Sequence, residues 1–472
     1  MTANIRRTKI VATIGPASCS PEVIRQLILA GMDVARLNFS HGSYENHARV
    51  IKDLRKISSE LDIPVTILQD LQGPKIRVGR LPGDQITLNH DDIITLVPEG
   101  KYNAYPLTIP IDYPYLAEEA GIGMQALLAD GLFELQVTAV EGDAVRCRVV
   151  EGGILKSRKG VNFPNLDLRL PSLTEKDIQD LWFGLSQDID WISLSFVRSA
   201  EDVRVLKRMI TERGSSTPVI GKIEKPQAIY HLEEIIEEVN GIMVARGDLG
   251  VELSPEKVPM LQKHIIELCN RKGIPVITAT QMLESMIHDP LPTRAEASDV
   301  ANAIIDGTDA IMLSGETAIG DHPVKVVEMM ARIANEVEAK IDFKTYPPEG
   351  DSDMLALSQA ANGIEHIASL KSIVIFTTSG RSARFVAAER PKTPIYALTQ
   401  NLNVYHSLNL LWGIRPLLVS DTPETFEGLV QLADSVVKKY NLGLPGDKIL
   451  VLGGVPSGEP EGTNFLKIHT IL

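Results

Sequence analysis

The sequence predicts an α/β protein in three parts: a (β/α)8 TIM barrel, a β-barrel lid domain inserted into it, and a C-terminal open-sheet α/β domain. Three observations carry this prediction. Eight short apolar runs, each ending in polar residues and followed by a helical pattern, recur along the chain, as strand–helix units do. One of the seven intervals between them is far longer than such a unit needs. A third alternation of strand and helix patterns begins beyond Ala339. The boundaries read as 1–72 and 171–345 for the barrel, 73–170 for the lid and 346–472 for the C-terminal domain.

The eight runs are Lys9–Ile14, Val34–Ser40, Val65–Leu71, Trp191–Phe196, Val219–Glu224, Gly241–Ala245, Pro275–Thr280 and Ala310–Ser314. Their starts lie 25, 31, 126, 28, 22, 34 and 35 residues apart. The long interval holds the insertion, so the lid hangs from the loop after the third strand, above the barrel mouth. Within it the β-type runs Gln85–Leu88, Ile93–Val97, Phe133–Val140 and Val145–Val150 alternate with Gly, Asp and Pro turns. Ser172-Leu-Thr-Glu175 predicts a capping box where the chain returns to the barrel. Pro226 suits the first turn of a helix. Gly273, after the amphipathic stretch Pro255–Lys272, predicts a helix stop. Tyr346-Pro-Pro-Glu-Gly-Asp-Ser reads as a linker to a last domain with strands at Ser372–Thr377, Ile395–Thr399, Ile414–Leu418 and Lys448–Leu452.

Composition agrees and narrows the function. The 472 residues are 44% apolar, enough for roughly three domains without disulfide staples. Cys19, Cys147 and Cys269 are far apart and lack metal-ligand spacing, which suits a reducing compartment and excludes a zinc cage. The net charge is −14 with no basic run, so nucleic acid is not an expected partner. No stretch approaches twenty uninterrupted apolar residues and no signal segment follows Met1, so no membrane association and a cytoplasmic location are expected.

In a barrel of this kind the chemistry gathers at the carboxyl ends of the strands. There the sequence places Arg36, Asn38, Ser40 and His41 after the second run, Asp70 after the third, and Lys222 and Glu224 at the fifth. Gly247 and Asp248 follow the sixth, Thr280 ends the seventh, and Ser314 and Glu316 end the eighth. Each alone could be a solvated loop residue or half of a salt bridge. Their convergence on one face argues otherwise. Glu224 and Asp248, on adjacent strands, form the kind of carboxylate pair that holds Mg²⁺ while leaving positions for substrate oxygens. With Arg36, Lys222 and the lid's Arg77 around them, the expected substrate is multiply anionic and the expected reaction phosphoryl transfer. No GxxxxGK[ST] loop or strand–GxGxxG–helix is present, so phosphates would be held by side chains and metal, with Lys159 reaching down from the lid.

Several stretches are specific enough to name a family. Thr8-Lys-Ile-Val-Ala-Thr-Ile-Gly-Pro16, Val34-Ala-Arg-Leu-Asn-Phe-Ser-His-Gly42, Gly73-Pro-Lys-Ile-Arg77 and Lys159-Gly-Val-Asn162 match pyruvate kinases in order. So do Lys222-Ile-Glu224, Val244-Ala-Arg-Gly-Asp-Leu-Gly250, Ala279-Thr-Gln-Met-Leu-Glu-Ser285, Pro292-Thr-Arg-Ala-Glu296 and Met312-Leu-Ser-Gly-Glu316. The sequence thus resembles the pyruvate kinase family over essentially its whole length. The resemblance implies phosphoryl transfer from phosphoenolpyruvate to ADP, giving pyruvate and ATP. By motif, Glu224 and Asp248 hold Mg²⁺ (or Mn²⁺), Lys222 stabilises the moving phosphoryl group and Arg36 grips the phosphate. Gly247 and Asp248 N–H groups with Thr280 bind the carboxylate, and Thr280 and Ser314 match part of a proton route to the enolate. Pro16, Asn38, His41, Arg77 and Lys159 match the nucleotide side. The family also implies a homotetramer.

Two departures sharpen the expectation. Asn38, Ser40 and Asp70 match K⁺ ligands of the family, but Leu71 stands at the fourth position and Lys75 where potassium users carry Glu. The lysine's own ammonium is therefore expected to replace K⁺, which should not be required. In the C-terminal domain Thr377, Thr378, Ser379, Gly380, Arg381 and Ser382 follow a strand and open a helix, and they match the family's effector-phosphate loop. The later loop Gly453–Gly462 has neither Trp nor Arg and carries two glutamates. A phosphorylated allosteric effector is expected, and it should be a monophosphate, either a sugar monophosphate or AMP. Two alternatives stay open: a metal-dependent aldolase or lyase handling a pyruvate enolate, and a non-catalytic sugar-phosphate sensor. The first has no use for Lys159 or Arg77, and Lys222, Glu224 and Asp248 argue against the second.

Overall fold

The computed structural model describes residues 6–164, 166, 169–345, 352–456 and 462–472. Eight parallel strands close a barrel: Lys9–Thr13, Val34–Asn38, Thr66–Asp70, Trp191–Leu194, Val219–Ile223, Gly241–Ala245, Val276–Ala279 and Ala310–Leu313. The ladder runs in chain order and closes where the last strand pairs with the first, Lys9 opposite Ala310. Several predicted runs overshoot their strands. The surplus residues, among them Ser40, Leu71, Ser195, Glu224, Thr280 and Ser314, have left the ladder and form the rim. Buried on both faces, the strands read as near-continuous apolar runs, with one core between strands and helices and a second inside the barrel.

The punctuation mostly follows the sequence. The helix Pro226–Tyr230 opens on its proline, and Gly273 ends the helix Val258–Lys272 at φ 63°, where a Cβ would be strained. The stretch before that helix is a separate 3₁₀ turn, Pro255–Lys257. The capping box falls two residues later than predicted. Thr174, not Ser172, caps the helix Glu175–Ser186, and its reciprocal partner is Asp177. Asp177 also accepts from the Gly73 backbone N–H at 3.0 Å. The short Asp side chain thus serves the cap and anchors the lid linker, a pairing no local pattern could specify.

The lid is a six-stranded sheet around its own core, with a two-stranded sheet beside it. All four predicted runs are strands. Thr108–Ile111, Gln125–Leu128, Gly153–Lys156 and Val161–Asn162 are further short strands that the sequence reading does not include. The two linkers are hydrogen-bonded to each other, Val161 N–H to Ile76 O at 2.9 Å and Val78 N–H to Lys159 O at 2.8 Å. Gly73 (φ 71°) starts the first; a Cβ there would lie 2.8 Å from the Phe196 ring, so only glycine lets the linker pass this close.

The C-terminal domain is a five-stranded sheet with the four predicted strands parallel. An antiparallel edge strand, Thr463–Thr470, was not predicted; only one of its residues is buried, so it lacks the apolar run that marks its neighbours. The predicted linker at 346–351 lies outside the described residues. This domain plugs the amino end of the barrel. Leu410 joins the interior core, Trp191 Nε1 donates to Ser407 O at 3.0 Å, and Arg390 pairs with Asp309 at 3.0 Å. Among the described residues no helix is long and apolar enough to cross a membrane. The carboxyl end of the barrel, beneath the lid, is left as the mouth.

Candidate active site

Four neighbouring strands, the second to the fifth, build the centre of the mouth. Arg36, from the second strand, donates through Nε to Asp70 Oδ2 at 2.7 Å and through Nη1 to Thr13 Oγ1 at 2.9 Å. Asp70, from the third, also accepts from Ser193 Oγ at 2.7 Å. Lys222, from the fifth, lies 3.4 Å from Asp70 Oδ1 and 2.9 Å from Glu224 Oε1, and donates to Ser195 Oγ at 2.8 Å. Glu224 Oε2 accepts the Phe196 N–H at 2.7 Å. All four charged residues are buried, with exposures of 9% for Arg36, 2% for Asp70, 8% for Lys222 and 1% for Glu224.

Burial at this density shifts protonation. It would raise the Asp70 carboxyl, but Lys222 and Arg36 outweigh it and hold the group below its ordinary value. Lys222 is pushed up, because Asp70 and Glu224 overcome the burial that opposes its charge. Glu224 is raised by burial and by nearby Asp248, against the pull of Lys222. Each charge is held by an opposite one, which keeps a buried cluster affordable. The result is a set of fixed, mutually held charges at the mouth, whose cations need no rearrangement to meet a developing negative charge.

The sixth and seventh strands supply the next wall. Gly247 N–H donates to Thr280 Oγ1 at 2.7 Å at the start of the helix Arg246–Glu252. Thr280 stands at φ 71°, a conformation that strains a β-branched residue by about 1–3 kcal/mol. Arg246 holds it there, donating to Thr280 O at 2.8 Å while pairing with Asp299. On the eighth strand Ser314 N–H donates to Glu316 Oε2 at 2.7 Å. Glu316 also accepts from Leu283 N–H, which ties the seventh and eighth strand ends together.

The lid meets this wall directly. Lys75 Nζ lies 3.2 Å from Asp248 Oδ1 and 3.4 Å from Asp130 Oδ1 of the lid. Asn162 donates to Glu252 at 2.7 Å, and Lys225 pairs with the same carboxylate. Among the described residues no three His, Cys, Asp or Glu form a metal cage. Glu224 and Asp248 offer hard carboxylate oxygens without nitrogen or sulfur, each already carrying a cationic lysine. That donor set fits Mg²⁺ or Mn²⁺ with the other positions left to water and substrate.

Comparison with known proteins bears on this arrangement. The family model described as pyruvate kinase, barrel domain, matches residues 5–327, and that described as pyruvate kinase, alpha/beta domain, matches 356–469. The chain belongs to the pyruvate kinase family. It is 47% identical over 472 residues to pyruvate kinase 2 of Synechocystis sp., covering 99% of this chain and 79% of that protein. It is 43% identical to pyruvate kinases of Sporosarcina psychrophila and Staphylococcus aureus, each over 99% of this chain and 81% of the relative.

Within this pyruvate kinase fold, Arg36, Asp70, Lys222 and Glu224 share one contact cluster, and Asp248 and Thr280 stand at neighbouring strand ends. The residues matched to the nucleotide side are looser. Pro16, His41 and Lys159 are exposed, and Arg77 donates to Arg158 O at 3.2 Å within the lid. Asn38 Oδ1 accepts the Ser40 N–H at 3.1 Å, and Leu71 is buried. The expected position of Lys75 is corrected: its ammonium stands on Asp248 and Asp130, because those acids reach it from the barrel and the lid. Ser193, Ser195 and Arg246 were not predicted to take part. The alternation Ile192-Ser193-Leu194-Ser195 was the available signal, since period two sends both hydroxyls to one face.

Far from the mouth, Thr377, Thr378, Ser379, Arg381 and Ser382 line a cavity of about 550 Å³. Gly380, at φ 84°, caps the helix Arg381–Ala388 and donates its N–H to Thr377 Oγ1 at 2.9 Å. Ser382 Oγ is engaged with Thr463 Oγ1 at 2.7 Å. Asp421 and Glu424, not singled out in the sequence, line the same cavity. The two glutamates of the late loop lie outside the described residues.

Proposed function

We propose that this mouth transfers the phosphoryl group of phosphoenolpyruvate to ADP, giving pyruvate and ATP in the last step of glycolysis. The observation that carries the reading is the buried cluster of Arg36, Asp70, Lys222 and Glu224 beside Asp248. Phosphoryl transfer asks mainly for positioning and charge neutralisation. An oxygen of the terminal ADP phosphate attacks phosphorus, the bond to the enolate oxygen breaks and leaves its electron pair there, and the methylene carbon takes a proton. Arg36 grips the phosphate, and Lys222 meets the charge that develops on the moving group. Gly247 and Asp248 N–H groups and the Thr280 hydroxyl hold the carboxylate. Thr280 and Ser314 lie on the proton route. A divalent cation on Glu224 and Asp248, Mg²⁺ or Mn²⁺, supplies positive charge to the substrate oxygens when bound. Pro16, Asn38, His41, Arg77 and Lys159 receive the nucleotide from the rim and lid. The test is a coupled assay for pyruvate: release from phosphoenolpyruvate that requires ADP supports the reading. Enolate chemistry without ADP would favour the aldolase or lyase, and binding without turnover the sensor.

The C-terminal cavity takes a phosphorylated effector by its one phosphate, on the hydroxyls and N–H groups of Thr377–Ser382 with Arg381 as the cation. Asp421 and Glu424 in the same cavity support a sugar monophosphate or AMP, since they would repel a second phosphate. Activity without added K⁺ is supported by Leu71, which brings no side-chain oxygen to the position of the fourth ligand. A cytoplasmic homotetramer is the assembly the family resemblance supports.

A further inference from the structure

We propose that Lys75 is a resident counter-cation of the divalent-metal site, shared between Asp248 and the lid's Asp130, which must release Asp248 before a divalent ion can take that carboxylate. The proposal rests on the reading of Glu224 and Asp248 as the metal ligands.

Lys75 is not a free surface arm. Its Nζ reaches Asp248 Oδ1 at 3.2 Å and Asp130 Oδ1 at 3.4 Å, with its side chain only 22% exposed. Its stem lies across Gly160 on the second lid linker, where a Cβ would come within 2.8 Å of Lys75 Cε. Any larger residue at Gly160 would push the lysine off this path. A lysine ammonium standing between two carboxylates is a cation at neutral pH. An ammonium and a divalent ion on one carboxylate repel each other strongly at such distances. One must yield.

The two lysines of the site are arranged alike. Lys222 sits on Glu224 but keeps Asp70 and Ser195 if Glu224 is taken. Lys75 sits on Asp248 but keeps Asp130. Asp130 therefore acts through Lys75: it gives the ammonium a place to stay when Asp248 is needed elsewhere. Its turn also approaches the Asp248 helix, since a Cβ on Gly131 would lie 3.9 Å from Val251. Metal loading would then exchange a three-body link between lid and barrel for a pair within the lid, while the Asn162–Glu252 contact remains.

The experiment is Mn²⁺ binding to the full chain without substrate, read by electron spin resonance of the free ion, in tetramethylammonium buffer. Lys75→Met should bind Mn²⁺ roughly fivefold more tightly than wild type, the scale of a partly exposed ion pair removed. Asp130→Asn should weaken binding roughly threefold in wild type and leave it unchanged in the Lys75→Met background, because its effect runs through the lysine. Lys75→Gln carries the same expectation as the Met variant should that protein fail to fold. Unchanged or weaker Mn²⁺ binding on losing the lysine overturns the proposal. So does an equal Asp130→Asn effect in both backgrounds, which would mean a simple field effect. Asp248→Asn separates the levels: if it keeps full Mn²⁺ affinity, the metal-site reading itself fails, and this inference with it.

Discussion

The barrel mouth and the C-terminal cavity, the two places proposed above to take phosphate, are built differently. At the mouth the cations are buried and each is held by acids: Arg36 by Asp70, Lys222 by Asp70 and Glu224. In the cavity the cation Arg381 is exposed at a helix start, and half of the lining residues carry a hydroxyl or amide. Desolvated, preorganised charge acts on a transition state because it needs no rearrangement as charge moves. Hydroxyl and N–H groups at the edge of an open cavity suit a ligand that has only to bind and leave. On the proposed functions, burial of the charges, more than their number, is what would separate a site for chemistry from a site for sensing.

The sharpest way to break the comparison is at Lys222. Lys222→Met should fold and lose about 10²–10³-fold or more of the phosphoryl-transfer rate; a folded variant with wild-type turnover would reduce Lys222 to a structural ion pair. Asp70→Asn tests burial itself. Removing one partner of a buried pair should cost about 3–5 kcal/mol of stability at neutral pH. The pH dependence has a definite sign. Because the folded Asp70 carboxyl sits below its unfolded value, its contribution is full above about pH 4 and is lost as pH falls through the lower folded value. The difference in thermal midpoint between wild type and Asp70→Asn should therefore narrow on acidification; a constant difference would contradict the pairing.

At the cavity the expected effects are smaller. Arg381→Gln should raise the half-activating concentration of a sugar monophosphate or AMP about tenfold, the scale of one charge-assisted contact. Phosphoenolpyruvate saturation curves at graded effector would measure it. Strong activation by fructose 1,6-bisphosphate with none by monophosphates would overturn the reading of Asp421 and Glu424. The smallest effect concerns monovalent cations. Replacing tetramethylammonium by KCl at constant ionic strength should change activity by less than about twofold, because Leu71 leaves a monovalent site one oxygen short. A many-fold dependence on K⁺ would overturn this reading.

Much of the site was legible because a barrel converts sequence position into spatial position. A residue that ends a parallel strand stands at the mouth whatever its neighbours do, so Arg36, Asp70, Lys222, Glu224, Asp248 and Thr280 could be placed together without contacts. Less regular parts were harder to read. The four short lid strands and the edge strand Thr463–Thr470 lack the long apolar run that signals a buried strand. The capping box was displaced because Asp177, three residues past Thr174, does the work assigned to Ser172 and Glu175.

The amino-acid sequence by itself determined the order of the elements, the place of the insertion and the residue types at each strand end, since these depend on local periodicity and turn chemistry. The tertiary structure alone decided which charges meet. Lys75 stands on Asp248, 173 residues away, and on Asp130 across the lid. Thr280 is held at positive φ by Arg246, and Asp70 is kept ionised by two cations from other strands. Pairing, strain and protonation depend on distance and burial, and these exist only once segments remote in the chain are packed together.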